Sequence, residues 1–258
     1  MSWASISRAR LCLLLALTPL LTGAAKPRLV PDVSQSAIQI RYSFTGADLL
    51  LFGAIIYPGG RTPKQRTDIA VVVRGPVEPI VVREKQKVAG IWMNANSARF
   101  RSAPAFYAAA SSRPLAELVD ERTAAIYELG LQNLQLSPGT GAGPEEQRRF
   151  EAGLIDLRER NQLYVEDPDG VTITDGVLYR ARITIPARVP VGTYTAETFL
   201  IQNGRVIAGA PREIHIQKLG FERFVTMAAQ QWSLAYGLFA VAVSLLLGWA
   251  ASALFRRG

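Results

Sequence analysis

The chain has 258 residues, with 29 lysines and arginines against 21 aspartates and glutamates, one histidine, one cysteine and a formal charge of +8. One cysteine excludes an internal disulfide framework, and one histidine without thiol partners argues against a transition-metal site. Setting aside Arg8, Arg10, Arg256 and Arg257 at the two ends lowers the excess to +4. That is too mild, and too poor in basic stripes with interleaved aromatics, for a nucleic-acid partner.

The first 25 residues read as a cleavable secretory signal. Arg8 and Arg10 precede the apolar run Leu11 to Leu21, which is too short to span a bilayer, and small residues follow at Gly23, Ala24 and Ala25. Cleavage after Ala24 or Ala25 would remove Cys12, the only cysteine. Retention as a signal anchor is the alternative, with the same topology for the rest of the chain.

Residues 26–219 read as one exported β domain. Apolar or alternating runs over Ala37 to Phe44, Leu49 to Tyr57, Ile69 to Arg74, Ile80 to Arg83 and Ala89 to Met93 are separated by turn residues. The pattern resumes over Val171 to Ile173, Leu178 to Ile185, Thr193 to Ile201 and Arg205 to Gln217, with turns at Asp169-Gly170, Asp175-Gly176 and Asn203-Gly204. Short strands at this spacing predict a mainly β fold, an immunoglobulin-like antiparallel β-sandwich. Within 112–164 the period changes to that of helices. Leu115, Leu118, Val119, Ala125, Ile126 and Leu129 form one stripe, and Pro144, Phe150, Leu154 and Leu157 mark a second helix. The expectation is an inserted helical hairpin that caps an open sheet edge or binds a partner.

Residues 220–231 read as an amphipathic juxtamembrane helix and 232–255 as a transmembrane helix, since Trp232 to Phe255 carries no charge and reaches about 36 Å. Arg256 and Arg257 in the tail 256–258 place the C-terminus inside, which makes the β domain periplasmic in a bacterial inner membrane. Ala240, Ser244, Gly248 and Ser252 recur every fourth residue, a small-residue face suited to packing on a second copy or a multi-span permease.

Five groups of residues within this architecture are familiar in combination: Phe44-Thr45-Gly46-Ala47 with Leu51-Phe52-Gly53-Ala54; Val72-Val73-Arg74-Gly75-Pro76; Gly90-Ile91-Trp92-Met93-Asn94; Phe106-Tyr107-Ala108; and Ser112-Arg113-Pro114-Leu115. With them the chain resembles the alphaproteobacterial putative transmembrane protein family over almost its whole mature length. The resemblance implies a compartment and an architecture but brings no catalytic residues or cofactor. It also implies, as a partner, a permease of the sulfite- or organosulfonate-exporter kind.

Few residues point to chemistry. His215 alternates with Ile214 and Ile216 and should face outward. Glu166, Asp167, Asp169 and Asp175 concentrate carboxylates in turns, without the spacing of a dedicated calcium loop. Arg74, Arg83 and Lys85, with Lys87 nearby, would either hold a small anion or form a solvated strand edge that discourages pairing. Trp92 and Asn94 would either meet a ligand or, as is commoner for such a tryptophan, fill the core. The expected protein is a non-enzymatic accessory or binding subunit of a membrane transporter. The alternatives are a stand-alone envelope module of structural or adhesion-like type, and a carboxylate hydrolase using Glu166, Asp167, Asp169 or His215.

Overall fold

The structure, a computed structural model, describes residues 26–40, 46–60, 62–63, 65–139, 143–218 and 229–255. The signal segment, most of the segment 220–231 and the tail 256–258 lie outside the described residues. The chain is mainly β, as the alternating runs predict.

Four strands, β1 (Arg28–Val33), β3 (Ala47–Ile56), β10 (Val171–Thr174) and β11 (Leu178–Ile185), form one sheet in the order β1-β3-β11-β10. The second sheet holds β2 (Ala37–Ile40), β4 (Asp68–Arg74), β7 (Tyr107–Ser111), β9 (Tyr164–Asp167), β12 (Gly192–Gln202) and β13 (Arg205–Lys218), in the order β2-β13-β12-β4-β7-β9. The two share one core. Tyr179, Ala181, Ile183 and Ile185 alternate inward along β11, and with Leu49 and Leu51 they join Ile69, Val71, Val73, Tyr194 and Ala196 in a single buried cluster. Tyr179 Oη donates to Thr198 Oγ1 at 3.3 Å, so this buried polar pair between the sheets is satisfied.

The second sheet is not purely antiparallel. Its edge pairs β2/β13 and β7/β9 run parallel. Parallel neighbours need long connections, which the chain supplies between Ile40 and Arg205 and, through the helical insertion, between Ser111 and Tyr164.

The insertion also departs from the expected hairpin. Its first stripe splits into α1 (Leu115–Leu118) and α2 (Glu121–Tyr127). Asp120 causes the break: its side chain accepts the Thr123 N–H at 2.7 Å as an N-cap, and its own N–H goes to the Gly204 carbonyl at 3.3 Å. The second helix, α3 (Pro144–Arg160), opens on proline with Glu145 and Glu146 in its first turn and closes on Arg158 and Arg160. Its Phe150 and Leu154 form a separate small core with Ala98, Phe100, Ala103 and Leu136, whereas Leu157 stays half-exposed. That core lies on the third sheet, which joins β5 (Val77–Val88), β6 (Ile91–Pro104) and β8 (Ser137–Pro138). The helix thus covers a ribbon's face rather than a sheet edge.

The spanning helix expected over 232–255 is not supported. A helix does form, α4 (Ser233–Phe255), but among the described residues no helix is long and apolar enough to cross a membrane. Leu234, Leu238, Leu245 and Trp249 on this helix are all exposed.

Candidate functional site

The feature least explained by folding alone is the far end of the β5/β6 hairpin. Near the body, Ile80, Val82, Ala98 and Phe100 point into the α3-covered core. Two ion pairs clamp this base to the helix: Arg158 Nη2 to Glu78 Oε1 at 2.6 Å, and Arg149 Nη2 to Glu84 Oε2 at 3.2 Å. Beyond Glu84 every residue from Lys85 to Ala95 is exposed. The register pairs Lys85 with Asn94, Lys87 with Trp92 and Val88 with Ile91, around a tight turn at Ala89-Gly90 with φ of 49° and 88°. Two consecutive left-handed residues give the reversed turn that matches strand twist, which lets the ribbon continue as a narrow arm.

Directly paired residues point to the same side of a ribbon. One face of the arm therefore carries Arg83, Lys85, Lys87 and Trp92; the other carries Gln86, Met93, Val88 and Ile91. Ile91 is 72% exposed, Trp92 67%, Met93 50% and Val88 47%. Fully burying such a side chain is worth about 1.5–3 kcal/mol, and here four of them, on both faces of the tip, stay in water. The expectation that Trp92 fills the core is overturned. The Ala-Gly turn places it at the tip of an arm that reaches past the core, where among the described residues no strand covers it.

Arg83 and Lys85 sit on this arm, but Arg74 does not join them. Arg74 lies on β4 facing the insertion, where Nη1 donates to Glu197 Oε2 at 2.8 Å and Nη2 to the Tyr127 carbonyl at 2.7 Å, with Glu128 Oε2 3.6 Å from Nε. Its charge is spent holding the end of α2 to the sheet. Tyr107 acts beside it, donating to the Glu128 carbonyl at 2.9 Å and accepting the Gly130 N–H at 2.9 Å. Burial pushes the Tyr107 hydroxyl well above the usual tyrosine range. This is a neutral structural hydroxyl.

A cleft of about 690 Å³ opens between this turn and β7, lined by Ser111, Leu115, Val119, Leu129, Asn133 and Glu166. Three of its polar side chains are bonded to backbone. Glu166 accepts the Leu131 N–H, Asn133 donates to the Leu129 carbonyl at 2.7 Å, and Ser111 donates to the Arg113 carbonyl at 2.6 Å. The remaining carboxylates behave as turn residues: Asp167 Oδ1 accepts the Asp169 N–H at 3.2 Å, and Asp175 occupies the left-handed position of the β10/β11 turn. His215 faces outward between buried Ile214 and Ile216, with Nδ1 3.3 Å from Thr193 Oγ1. Among the described residues no three of His, Cys, Asp and Glu gather as a metal site.

Ala240, Ser244, Gly248 and Ser252 all lie on α4. Ser244 Oγ donates to the Ala240 carbonyl at 2.9 Å, and a Cβ at Gly248 would meet nothing within 4 Å.

As a unit the arm cannot be read from strand propensity, which runs on through its turn. The signal was present in Lys85-Gln86-Lys87-Val88-Ala89-Gly90-Ile91-Trp92-Met93, an apolar cluster centred on a glycine and preceded by lysines.

The model of the family described as "Putative transmembrane protein (Alph_Pro_TM)" matches residues 28–257. No curated protein matches the chain.

Proposed function

Since the chain belongs to the alphaproteobacterial putative transmembrane protein family, we propose that it is a non-enzymatic accessory subunit of a membrane transport assembly. In this reading its β domain lies on the periplasmic side of a bacterial inner membrane and works by binding. The signal pattern of residues 1–25 supports the compartment. The observation that carries the reading is the Lys85–Ala95 arm, which commits four large apolar side chains and a cationic face to contacts outside the fold. The carboxylates and the histidine that a hydrolase would need are occupied by backbone N–H groups or stand apart on the surface. By resemblance the assembly is built on a permease of the sulfite- or organosulfonate-exporter kind.

Extraction of the tagged full chain in lipid-retaining polymer nanodiscs tests this. The expected result is co-purification of a multi-span permease, together with loss of the export phenotype when residues 86–93 are replaced by Asn-Gly. A chain that emerges alone, and whose shortened arm leaves the phenotype intact, supports the stand-alone envelope module instead.

A further inference from the structure

We propose that the tip of the β5/β6 arm enters the surface of an anionic lipid bilayer, with Val88, Ile91, Trp92 and Met93 among the upper acyl chains and Lys85 and Lys87 against the lipid phosphates. The inference rests on the reading above only in placing the protein at a membrane.

The spacing of apolar and charged groups along the ribbon supports it. At roughly 3.3 Å per residue, Lys87 lies about 3 Å and Lys85 about 10 Å behind Val88. An interfacial element buries its apolar part by about 5–10 Å, which brings both ammonium groups to phosphate depth. Their four-carbon stems can reach up from the apolar zone to the charged layer. Trp92, paired with Lys87, stands where indoles gather at membrane interfaces, with an apolar body and one N–H donor. Arg83 follows about 17 Å behind the tip, near the limit of unscreened attraction, and Arg99, opposite Val81, lies farther still.

The charge is one-sided as well as well placed. No aspartate or glutamate occurs from Lys85 to Arg99, and among the described residues Arg83, Lys85, Lys87 and Arg99 have no carboxylate partner. The nearest acid on the arm, Glu84, faces the other side and is paired with Arg149. A protein groove would need acidic groups matched to two lysines beside an indole. An anionic leaflet offers that charge everywhere along with the apolar layer the tip needs. The outward edges of a two-stranded ribbon leave backbone groups unpaired, so entry stops at the hydrated boundary and goes no deeper.

The test uses the full chain with Cys12→Ser and Met93→Cys, labelled at the new thiol with an environment-sensitive fluorophore. It is reconstituted into vesicles of phosphatidylcholine alone or of an equimolar mixture with phosphatidylglycerol, each with and without a lipid-borne quencher. The label reports the arm itself, whatever else attaches the chain. The expected result is a blue shift and quenching only with phosphatidylglycerol. Lys85→Glu and Lys87→Glu should each weaken this response at least about fivefold, the factor that about 1 kcal/mol per cation near an anionic leaflet represents, whereas Arg99→Glu should leave it nearly unchanged. Water-like emission in both lipids overturns the proposal, and equal quenching in both overturns its charge dependence. A label shielded only in the presence of a co-purified protein overturns the lipid assignment and leaves the accessory reading standing. Loss of co-purification with lipid quenching intact does the reverse.

Discussion

Arg113 grips Asp68 with two nitrogens, Nη2 on Oδ2 at 2.6 Å and Nε on Oδ1 at 3.2 Å, while Ser112 Oγ adds a third donor to Oδ1 at 3.0 Å. Asp68 begins β4, and its partners follow β7 at the start of the helical insertion, so this buried carboxylate ties the insertion to the central strand. Its donors Ser112 and Arg113 belong to one of the quoted family blocks, and Asp68 stands on the strand that carries another.

Breaking the pair from one side leaves a buried charge without compensation. Arg113→Ala should lower unfolding free energy by about 3 kcal/mol, and Arg113→Lys should recover only part, because an ammonium cannot replace the fork. Urea titration of the two variants beside wild type measures both.

The same carboxylate sets an acid limit. Burial by itself would raise the Asp68 pKa, but hydrogen bonds from Arg113 and Ser112 and the charges of Arg113 and Arg66 outweigh burial and hold it below the ordinary value. A folded pKa below the unfolded value of about 3.9 gives stability that is complete above that pH and lost as pH falls through the folded pKa. Asp68→Asn should therefore be less stable at neutral pH and should flatten the acid side of the stability profile. An unchanged acid slope would remove Asp68 from the explanation.

Arg74 predicts a coupled loss. Arg74→Met leaves Glu197 and the Tyr127 carbonyl without their donor and should cost about 2 kcal/mol. Combining it with Glu197→Leu should cost less than the sum of the two single changes, since the stranded carboxylate is gone. A double-mutant cycle read by thermal unfolding decides the sign.

Gly53 marks the closest approach in the first sheet. A Cβ there would collide with the Val30 carbonyl oxygen and lie 2.7 Å from Tyr179 Oη. Gly53→Ala should destabilise by about 2 kcal/mol, through displacement of β1 from β3, as amide exchange along Arg28–Val33 would show.

At the arm's turn, Ala89 holds a left-handed conformation with φ of 49°. Asparagine tolerates that region better, so Ala89→Asn should slow exchange across Val88 and Ile91 by an amount worth about 0.5 kcal/mol, with global unfolding unchanged. A shift in global unfolding would mean the arm is part of the cooperative core.

Alternation made β11 readable to its ends, and Asn203-Gly204 forms the turn its type predicts, with φ of 53° and 77°. Helix α3 and the outward His215 were equally legible, because each depends on local pattern. Strand β7 was not. Tyr107-Ala108-Ala109-Ala110-Ser111 has no β-branched residue and becomes a strand because it is held between β4 and β9. Ala89 to Met93 reads as a strand by propensity, yet Ala89-Gly90 is the turn, since alanine gives no left-handed cue. The Asp68–Arg113 clamp spans 45 residues and only the fold joins it. The arm needed both pieces of knowledge, where the turn falls and where the core ends, before its apolar run could be seen as exposed.

The working surface proposed for this protein is the Lys85–Ala95 arm. Hydrogen–deuterium exchange of the full chain in native nanodiscs and in detergent tests this most directly. Slower exchange in nanodiscs, concentrated in residues 85–95 and relieved by Trp92→Ala, is the predicted result. Identical exchange of the arm in both settings would contradict it.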